Sequence, residues 1–363
     1  ATTGKAGLLE DEPRFDYSGG ATCPSLLLEP SRTNLIDYSE AIEFGISTNG
    51  CTQTITSETN PSGKDASYLA SAIDANNDQF RYDRNGLSSG SYFLSAFIKG
   101  DGNANKIRLR GTGGGVTTGN VYWDIAANGA ITLNTSESPS GVNAITENYG
   151  NGWYRIGFEE TYDGTSTSRF AIYPSNGDVN ASTYIWGVQW EAGSYPTSYI
   201  PNHSGGTITR GADTTIKTNI SSLIGQAEGT LFIEFNAEED APQNMNLINF
   251  NNSTQASVLI AKLTSGALRA AVYAGGSAIV DINSAVVSGT TKAAFAYKSG
   301  DSVLYVNGVA VSNSNTFTFN GTLSELIFPS YQAYFNYGHK YSVNQSMVFT
   351  TRLSNADLET LTT

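Results

Sequence analysis

Short runs in which apolar and polar residues alternate recur along most of this chain. The run KIRLRG (106–111) places Ile107 and Leu109 on one side and a lysine and two arginines on the other. The run SYFLSAFIK (91–99) alternates in the same way, and turn residues separate such runs about every 8–15 residues. A period of two residues is that of a strand with one buried face. The pattern predicts an all-β protein built from sandwiches or jelly rolls.

Two runs carry the sequence signal of a tight hairpin. VYWDIAANGAITL (121–133) reads as two strands around an Asn128-Gly129 turn, and in SVLYVNGVAVSN (302–313) the pair Asn307-Gly308 suits a type I′ turn between β-branched strands. The one convincing helix lies in LSNADLETL (353–361), where Ser354 or Asn355 can cap the first turn.

The organisation expected from these signals is an arm followed by two domains. Residues 1–38 lack periodicity and hold several prolines, so they are expected to form an extended N-terminal arm. A first β-domain is expected over 39–205 and a second over 206–363, with the linker placed within the proline- and glycine-containing segment 195–212.

The stretch LLLEPSRTNLIDYSE (26–40) fits neither a helix nor a strand over its whole length. Leu26–Leu28 are expected to form a buried edge strand. Arg32, Thr33 and Asn34 are expected to turn the chain into the first domain, with Arg32 paired to a carboxylate. This interpretation makes the stretch a structural connection and not a binding site.

Composition narrows the class of protein. Charged residues are only 15% of the chain, there are 38 glycines, and the net charge is −13 with a pI near 4.6. A nucleic-acid-binding protein needs a basic footprint, which this balance opposes, and the longest apolar runs fall short of the ~18–20 residues of a membrane span. A surface of Ser, Thr, Asn and Gly is typical of extracellular or virion proteins. Because the chain begins at Ala1, a processed or truncated start is expected.

Residues suited to bond cleavage are scarce. The only histidines are His203 and His339, so neither a nucleophilic triad nor a zinc site is expected. Glu234, Asn236 and Glu238 alternate on one strand in a pattern similar to the catalytic strand of concanavalin-like glycosidases. The central asparagine cannot share a proton as an aspartate does, so these residues are interpreted as an outward polar face. The chain is expected not to be an enzyme.

No cofactor is expected, although calcium is possible. The segment DANNDQ (74–79) offers several oxygen ligands, and an ordinary polar turn explains it as well. Cys23 and Cys51 can form one disulfide or remain two buried thiols, and the sequence leaves both open.

Candidate sugar-binding residues follow from the aromatic content, because pyranose rings stack on aromatic faces while hydroxyl groups seek planar polar side chains. Trp123, Trp153 and Trp186 lie in alternating strands and are interpreted as core. The candidates are Tyr331, Tyr334, Tyr337 and His339, which crowd the segment 329–341, together with Trp190. The tyrosines either bind a glycan or pack against a neighbouring subunit or the first domain.

Residue identities add two resemblances. The second half resembles laminin-G/concanavalin A-like lectin domains over most of 213–363. It does so in GTLFIEFNA (229–237), AAFAYKSGDSVLYVNGVAV (293–311), FNGTLSELIF (319–328) and TTRLSNADLETL (350–361).

The first part resembles a carbohydrate-binding-module-like jelly roll found in tail fibres and other virion proteins of tailed phages. The matching landmarks are RFDY (14–17), SLLLEPSRTNLIDYSE (25–40), NGWYRIGF (151–158), YIWGVQWEAGSYPTSYIPN (184–202) and TRGADT (209–214). The resemblance implies a non-enzymatic virion protein that binds host surface glycan and contacts other virion proteins. It also implies a homo-oligomer, a trimer if the protein is a fibre. Two alternatives stay open: the binding modules of a secreted or cell-surface bacterial polysaccharide-active enzyme, and a purely structural virion decoration protein.

Overall fold

A computed structural model describes residues 14–16, 24–41, 47–72, 78–175, 181–213, 215–237, 244–251, 256–328 and 340–363. Strands account for most of this part of the chain, and α1 (Asn355–Thr362) is an α-helix near the C-terminus. The expectation of an all-β protein is confirmed.

The strands divide between two compact units. Unit 1 holds residues Arg32–Arg210, and unit 2 holds Gly211–Thr363 together with the two N-terminal strands. Up to residue 125 the strands are β1 (Arg14–Asp16), β2 (Ser25–Leu28), β3 (Arg32–Asn34), β4 (Ser47–Asn49), β5 (Cys51–Thr59), β6 (Asp65–Ala72), β7 (Gln79–Arg84), β8 (Gly90–Gly100), β9 (Lys106–Thr112) and β10 (Asn120–Ile125). Those that follow in unit 1 are β11 (Ile131–Leu133), β12 (Ala144–Gly150), β13 (Trp153–Tyr162), β14 (Ser168–Tyr173), β15 (Ser182–Ala192) and β16 (Ile208–Arg210). The remaining strands of unit 2 are β17 (Thr215–Lys217), β18 (Glu228–Ala237), β19 (Met245–Asn251), β20 (Ser257–Lys262), β21 (Ala267–Ala274), β22 (Ser277–Val286), β23 (Thr290–Lys298), β24 (Ser302–Val306), β25 (Val309–Asn313), β26 (Glu325–Phe328) and β27 (Tyr341–Phe349).

Unit 1 is a sandwich of two six-stranded antiparallel sheets. One sheet, the β9 sheet, has the order β11-β10-β9-β14-β7-β4, and the other, the β8 sheet, has the order β12-β13-β8-β15-β6-β5. The inward side chains of both form one apolar core that includes Phe80, Ile107 and Trp123 from the β9 sheet and Leu94 and Ile156 from the β8 sheet. The alternation seen in the sequence therefore decides which side of each strand faces the core.

Unit 2 is also a sandwich. Its sheets have the orders β1-β2-β27-β18-β23-β24-β25 and β17-β26-β19-β20-β21-β22, and its core lies between them. The predicted hairpin of β24 and β25 is confirmed, with Asn307 at φ 47° and Gly308 at φ 80° as a type I′ turn requires. The predicted helix is confirmed as well, and Ser354 caps it by accepting a hydrogen bond from the Asp357 backbone N–H at 3.2 Å.

Of the segment expected to form an N-terminal arm, the structure describes residues 14–16 and 24–38. Strand β2 lies between β1 and β27, so Leu26–Leu28 form an interior strand of unit 2 and not an edge strand. The Arg14 guanidinium is paired with the buried Glu29 carboxylate and with Asp213, and the Glu29 backbone N–H donates to Asp213 at 2.7 Å. These contacts attach the segment to unit 2.

The chain enters unit 1 at Arg32. The Arg32 guanidinium Nε lies 3.7 Å from the fully buried Glu191 carboxylate, so the expected pairing to a carboxylate is confirmed. The buried Asn34 amide donates to the Val188 and Ile200 carbonyl oxygens and accepts from the Trp190 backbone N–H. The stretch is therefore a structural connection whose polar residues satisfy buried backbone groups.

The expected linker over 195–212 is mostly part of unit 1. Tyr199, Ile200 and Asn202 are buried, and β16 pairs with β3. The segment packs on the outward side of the β8 sheet, where Tyr199 lies against Phe97 and Trp186. This packing explains why β8 is buried on both faces although its sequence alternates.

The glycine-rich loop between β9 and β10, residues 113–119, folds around one carboxylate. Glu160 is fully buried and accepts the backbone N–H groups of Thr117, Thr118 and Gly119 at 2.8, 2.8 and 2.7 Å. The Thr161 backbone N–H adds a fourth bond at 3.0 Å. The amide groups of this loop line an internal anion site, and that site positions the two strands that the loop joins.

Candidate functional site

The outward side of the β9 sheet collects basic and aromatic side chains. Since successive residues of a strand face opposite sides, the neighbours of the core residues on β7, β9, β10 and β14 point away from the core. The side chains on this surface, called the basic face below, are Arg81, Asp83, Lys106, Arg108, Arg110, Asn120, Tyr122, Asp124, Arg169, Ala171 and Tyr173. In an acidic protein, five basic residues on one sheet surface stand out from the remainder of the chain.

Arg108 stands at the centre of one row across the sheet. The register pairs it with Tyr122 on β10 and with Tyr173 on β14. Its guanidinium carbon lies 3.5 Å from the Tyr173 ring centroid and 5.9 Å from that of Tyr122. Stacking of this kind is stabilising and holds the guanidinium in one place.

Arg110 belongs to the next row. The register across four strands reads Asn120, Arg110, Ala171 and Arg81. Because neighbouring strands lie ~4.8 Å apart, Arg110 and Arg81 leave the sheet about 10 Å from one another. Ala171 contributes only a methyl group between them and is itself buried, so the side chains around it cover this position of the row.

Pairing of charge on this face is uneven. Asp83 lies 3.0 Å from Arg81 Nε and 3.3 Å from Arg169 Nε. Lys106 pairs with Glu137 and lies 4.0 Å from Asp124, and the hydrogen bond to Glu137 raises the pKa of Lys106.

Arg108 and Arg110 differ from the other three basic residues. Within the described residues neither guanidinium has a carboxylate partner or a hydrogen bond. The Nε atoms of both are buried without an acceptor, as are those of Arg81 and Arg169. The side-chain oxygen of Asn120 is likewise buried without a donor. Buried polar atoms in folded proteins are nearly always hydrogen-bonded, and such an exception calls for an explanation such as a ligand.

The chemistry available here is binding. Each guanidinium offers a planar array of N–H donors, the asparagine oxygen offers an acceptor, and the Tyr122 ring offers a flat apolar surface. Such a combination suits a polar, ring-shaped ligand that carries hydroxyl groups and negative charge.

The residues nominated from the sequence are not among those that define the basic face. Tyr331, Tyr334, Tyr337 and His339 lie outside the described residues. Trp190 is fully buried in the core of unit 1 and packs against other aromatic rings of that core, so its ring has no face open to a sugar. It is a core residue, like Trp123, Trp153 and Trp186.

The structure describes only some of the residues considered as catalytic groups or as calcium ligands. Glu234 is half-buried and accepts a hydrogen bond from the Asn344 side chain at 3.1 Å, and Asn236 is exposed, whereas Glu238 lies outside the described residues. Asp74, Asn76 and Asn77 also lie outside them. In the part of the chain that the structure describes, no group of three or more His, Cys, Asp or Glu side chains is arranged to hold a metal ion.

Cys23 falls outside the described residues, so its pairing is untested. Cys51 is a buried free thiol, and burial, assisted by the nearby Asp78 charge, raises its pKa to about 12.

The sequence contains a visible signal for the basic face that the search for aromatic residues passed over. In KIRLRG the basic residues recur at every second position, which on a strand places all of them on one side. Alternation does not reveal which strands lie beside β9, and β14 follows more than fifty residues later in the chain. The partners Tyr173, Ala171 and Arg81 could therefore be found only from the structure.

No protein-family model matches the chain, and no curated protein is significantly similar to it. Three solved structures illustrate the likenesses found at the level of the fold. The CBM40 of the Ruminococcus gnavus IT-sialidase, bound to α2,3 sialyllactose, is 15% identical with a TM-score of 0.34, over 40% of this chain and 91% of that one. A structure of botulinum neurotoxin type C, whose cell entry depends on interaction with two ganglioside molecules, is 12% identical with a TM-score of 0.35, over 41% of this chain and 39% of that one. A heptameric SAP-like pentraxin from Limulus polyphemus is 11% identical with a TM-score of 0.30, over 42% of this chain and 82% of that one. Likenesses of this size assign neither a ligand nor a role to this chain.

Across the described ranges, α-helical segments are too short and too polar to traverse a bilayer.

Proposed function

We propose that this protein is a non-enzymatic carbohydrate-binding protein of a tailed-phage virion, part of a tail fibre or appendage that attaches to host surface glycan. The glycan binds on the basic face of unit 1. The observation that carries the proposal is the presence of Arg108, Arg110 and Asn120 side chains with unpartnered polar atoms beside an aromatic ring.

The virion assignment rests on the amino-acid sequence of the landmark segments in the first domain. Its landmarks resemble tail-fibre modules, and they map onto residues that hold unit 1 together, such as Arg32, Asn34 and Glu191. Such residues identify a domain type, whereas the ligand is decided by the outward face, where the landmark segments contribute little.

Attachment through a shallow sheet surface favours several copies acting together. Single sites of this kind bind sugars weakly, and linking sites raises avidity by ~10²–10⁴ when all can engage the same surface. The protein is therefore proposed to act as a homo-oligomer, a trimer if it is a fibre, alongside other virion proteins and at the outside of the particle. Tyr331, Tyr334, Tyr337 and His339 remain a proposed second contact for glycan or for a neighbouring subunit.

The binding part of the proposal is tested on a glycan array with the 363-residue protein and two variants, Arg108→Ala and Arg110→Ala. The matched control is Lys64→Ala, which removes one exposed positive charge from the turn between β5 and β6 in the other sheet. Loss of signal in both arginine variants, with the control unchanged, is the expected result. Equal signal in the parent protein and all three variants would exclude the basic face as the glycan-binding site. A parallel array with Tyr334→Ala and Tyr337→Ala examines the second contact.

The virion part needs a different experiment. Antibody labelling of intact phage particles is expected to place the protein on a fibre or appendage. Release of reducing sugars from a polysaccharide by the purified protein alone would instead identify it as an enzyme, and a protein encoded beside polysaccharide-degrading genes of a bacterium would point to a secreted enzyme's binding modules. A labelled particle with no array signal would favour a structural decoration protein.

A further inference from the structure

We infer that the ligand of the basic face is a carboxylated glycan, one whose sugar residues include a uronic or other sugar acid, bound with its carboxylate on Arg110. This inference rests on the proposed function and names its ligand class. It is carried by the charges and unpartnered atoms of the face.

The first step concerns charge. Arg81 and Arg169 share Asp83, and Lys106 has Glu137 and Asp124 close by. Arg108 and Arg110 are left without a counter-charge among the described residues. A neutral glycan would leave both charges uncompensated, whereas an anionic one supplies the missing partner.

The second step concerns geometry. A carboxylate accepts two parallel N–H bonds from one guanidinium, and this bidentate pairing is stronger and more directional than a contact with a point charge. Arg110 and Arg81 lie on either side of the buried Ala171 in one row of the sheet. A planar carboxylate bound at the edge of the Arg110 guanidinium therefore remains close to a second positive group.

The third step separates a sugar acid from a simple anion. Asn120 is the cross-strand neighbour of Arg110, and its side-chain oxygen is a buried acceptor without a donor. Chloride, sulfate or an unsubstituted carboxylate has no hydrogen to donate to it. A sugar acid satisfies both residues, because its carboxylate accepts from Arg110 while a ring hydroxyl donates to Asn120.

Arg108 has a supporting part in this arrangement. Its guanidinium is already stacked on Tyr173 at 3.5 Å. Arg108 leaves the strand about 7 Å from Arg110, because they are two residue steps apart on β9. That distance is comparable to the length of one sugar residue, so Arg108 adjoins the sugar next to the one held by Arg110.

The test uses the intact protein and measures binding to hyaluronan, alginate and polygalacturonate by titration calorimetry or biolayer interferometry. Each polymer is compared with its carboxyl-reduced form, which keeps the linkages and ring hydroxyls but lacks the charge. Dextran and dextran sulfate form a neutral and a sulfated arm. At least one carboxylated polymer is expected to bind, to lose most of its affinity on carboxyl reduction, and to weaken as ionic strength rises.

Three variants sharpen the result. Arg110→Ala is expected to weaken binding about 10- to 100-fold, the range of a lost charge-assisted hydrogen-bonded pair. Arg110→Lys keeps the charge but loses the planar fork, so an intermediate loss is expected. In Asn120→Asp the new side chain has nearly the same shape as asparagine but is negatively charged. This variant is expected to bind carboxylated polymers more weakly while its affinity for any neutral glycan stays the same. Lys64→Ala is the control, and thermal unfolding of each variant establishes that it is folded.

The outcomes separate the inference from the proposed function. Equal binding of reduced and unreduced polymers overturns the inference and leaves glycan binding standing, as does binding of dextran sulfate alone. Full binding by Arg110→Ala also overturns it. An absence of binding to every polymer, neutral, carboxylated or sulfated, overturns the inference and the proposed function together.

Discussion

Replacing Glu160 by glutamine changes one atom at the point around which the β9–β10 loop folds. The carboxylate is fully buried and accepts four backbone N–H groups, three at one oxygen and one at the other. Glutamine keeps one oxygen and presents an NH₂ group in place of the second. One N–H group of the loop then faces a donor, and the remaining three bonds lose the strength that the negative charge gave them.

The magnitude follows from typical values for such bonds. A buried donor left unsatisfied costs about 1–3 kcal/mol, and hydrogen bonds to a charged group exceed neutral ones by roughly 1 kcal/mol each. The smaller desolvation cost of the neutral amide offsets part of this sum. The expected loss in the free energy of unfolding of unit 1 is therefore about 2–4 kcal/mol.

Urea unfolding followed by tryptophan fluorescence measures this loss in unit 1 alone. All four tryptophans of the chain lie in unit 1 and all are buried, so the signal reports that unit separately from unit 2. A separate signal matters because a chain with two units need not unfold in a single two-state transition.

The control is Glu159→Gln, the same change one residue earlier on β13. Glu159 accepts an exposed hydrogen bond from the Asn143 side chain at 3.1 Å, and its loss is expected to cost less than about 0.5 kcal/mol. An unchanged urea midpoint in Glu160→Gln, or equal shifts in the two variants, would refute the view that this carboxylate organises the loop.

Three further results are expected. Gly113→Ala should destabilise unit 1 by about 2–4 kcal/mol, because φ is +90° and the added Cβ would lie 1.9 Å from a backbone carbonyl oxygen. Gly119→Ala should cost only about 1–2 kcal/mol, because φ is +76° but the space around the added Cβ is open. Equal urea midpoints of the two variants, measured by fluorescence, would contradict this difference. Gly308→Ala should destabilise unit 2 by about 1–2 kcal/mol, since φ is +80° in its hairpin turn, and it should shift the far-UV circular dichroism transition while the fluorescence transition of unit 1 stays in place. Cys51 should not react with a thiol reagent at pH 8 in the folded protein, because a pKa of about 12 leaves almost no thiolate; a lower number of reactive thiols in native Cys51→Ser than in the parent protein would contradict that expectation.

The local features of this fold could be read from the sequence. Alternation identifies strands because one face of each is buried, and Asn307-Gly308 identifies a turn because few other pairs adopt its dihedral angles. Ser354 identifies a helix start because its hydroxyl satisfies an N–H group that the helix leaves free. Each of these signals depends only on residues close together in the chain.

The remaining features depend on pairings between distant residues. Leu26–Leu28 give no local sign that their partner is Tyr341–Val343, and nothing near Glu160 indicates that the glycine-rich loop will supply its hydrogen bonds. The basic face could not be predicted from local sequence either, since Arg110 and Arg81 share a row of the sheet only because β14 lies between their strands. Aromatic residues were a misleading guide at Trp190, because a large flat ring serves a sandwich core as well as a sugar site.

The placement of β2 between β1 and β27 has a consequence for biosynthesis. A ribosome delivers Leu26–Leu28 early, but their hydrogen-bonding partner emerges only with the last part of the chain. Unit 1 can therefore complete its folding first, while the side of β2 that pairs with β27 stays unpaired until β27 has been synthesised. A recombinant fragment that begins at Gly211 would omit β1 and β2 and leave Tyr341–Phe349 as an exposed edge strand prone to self-association.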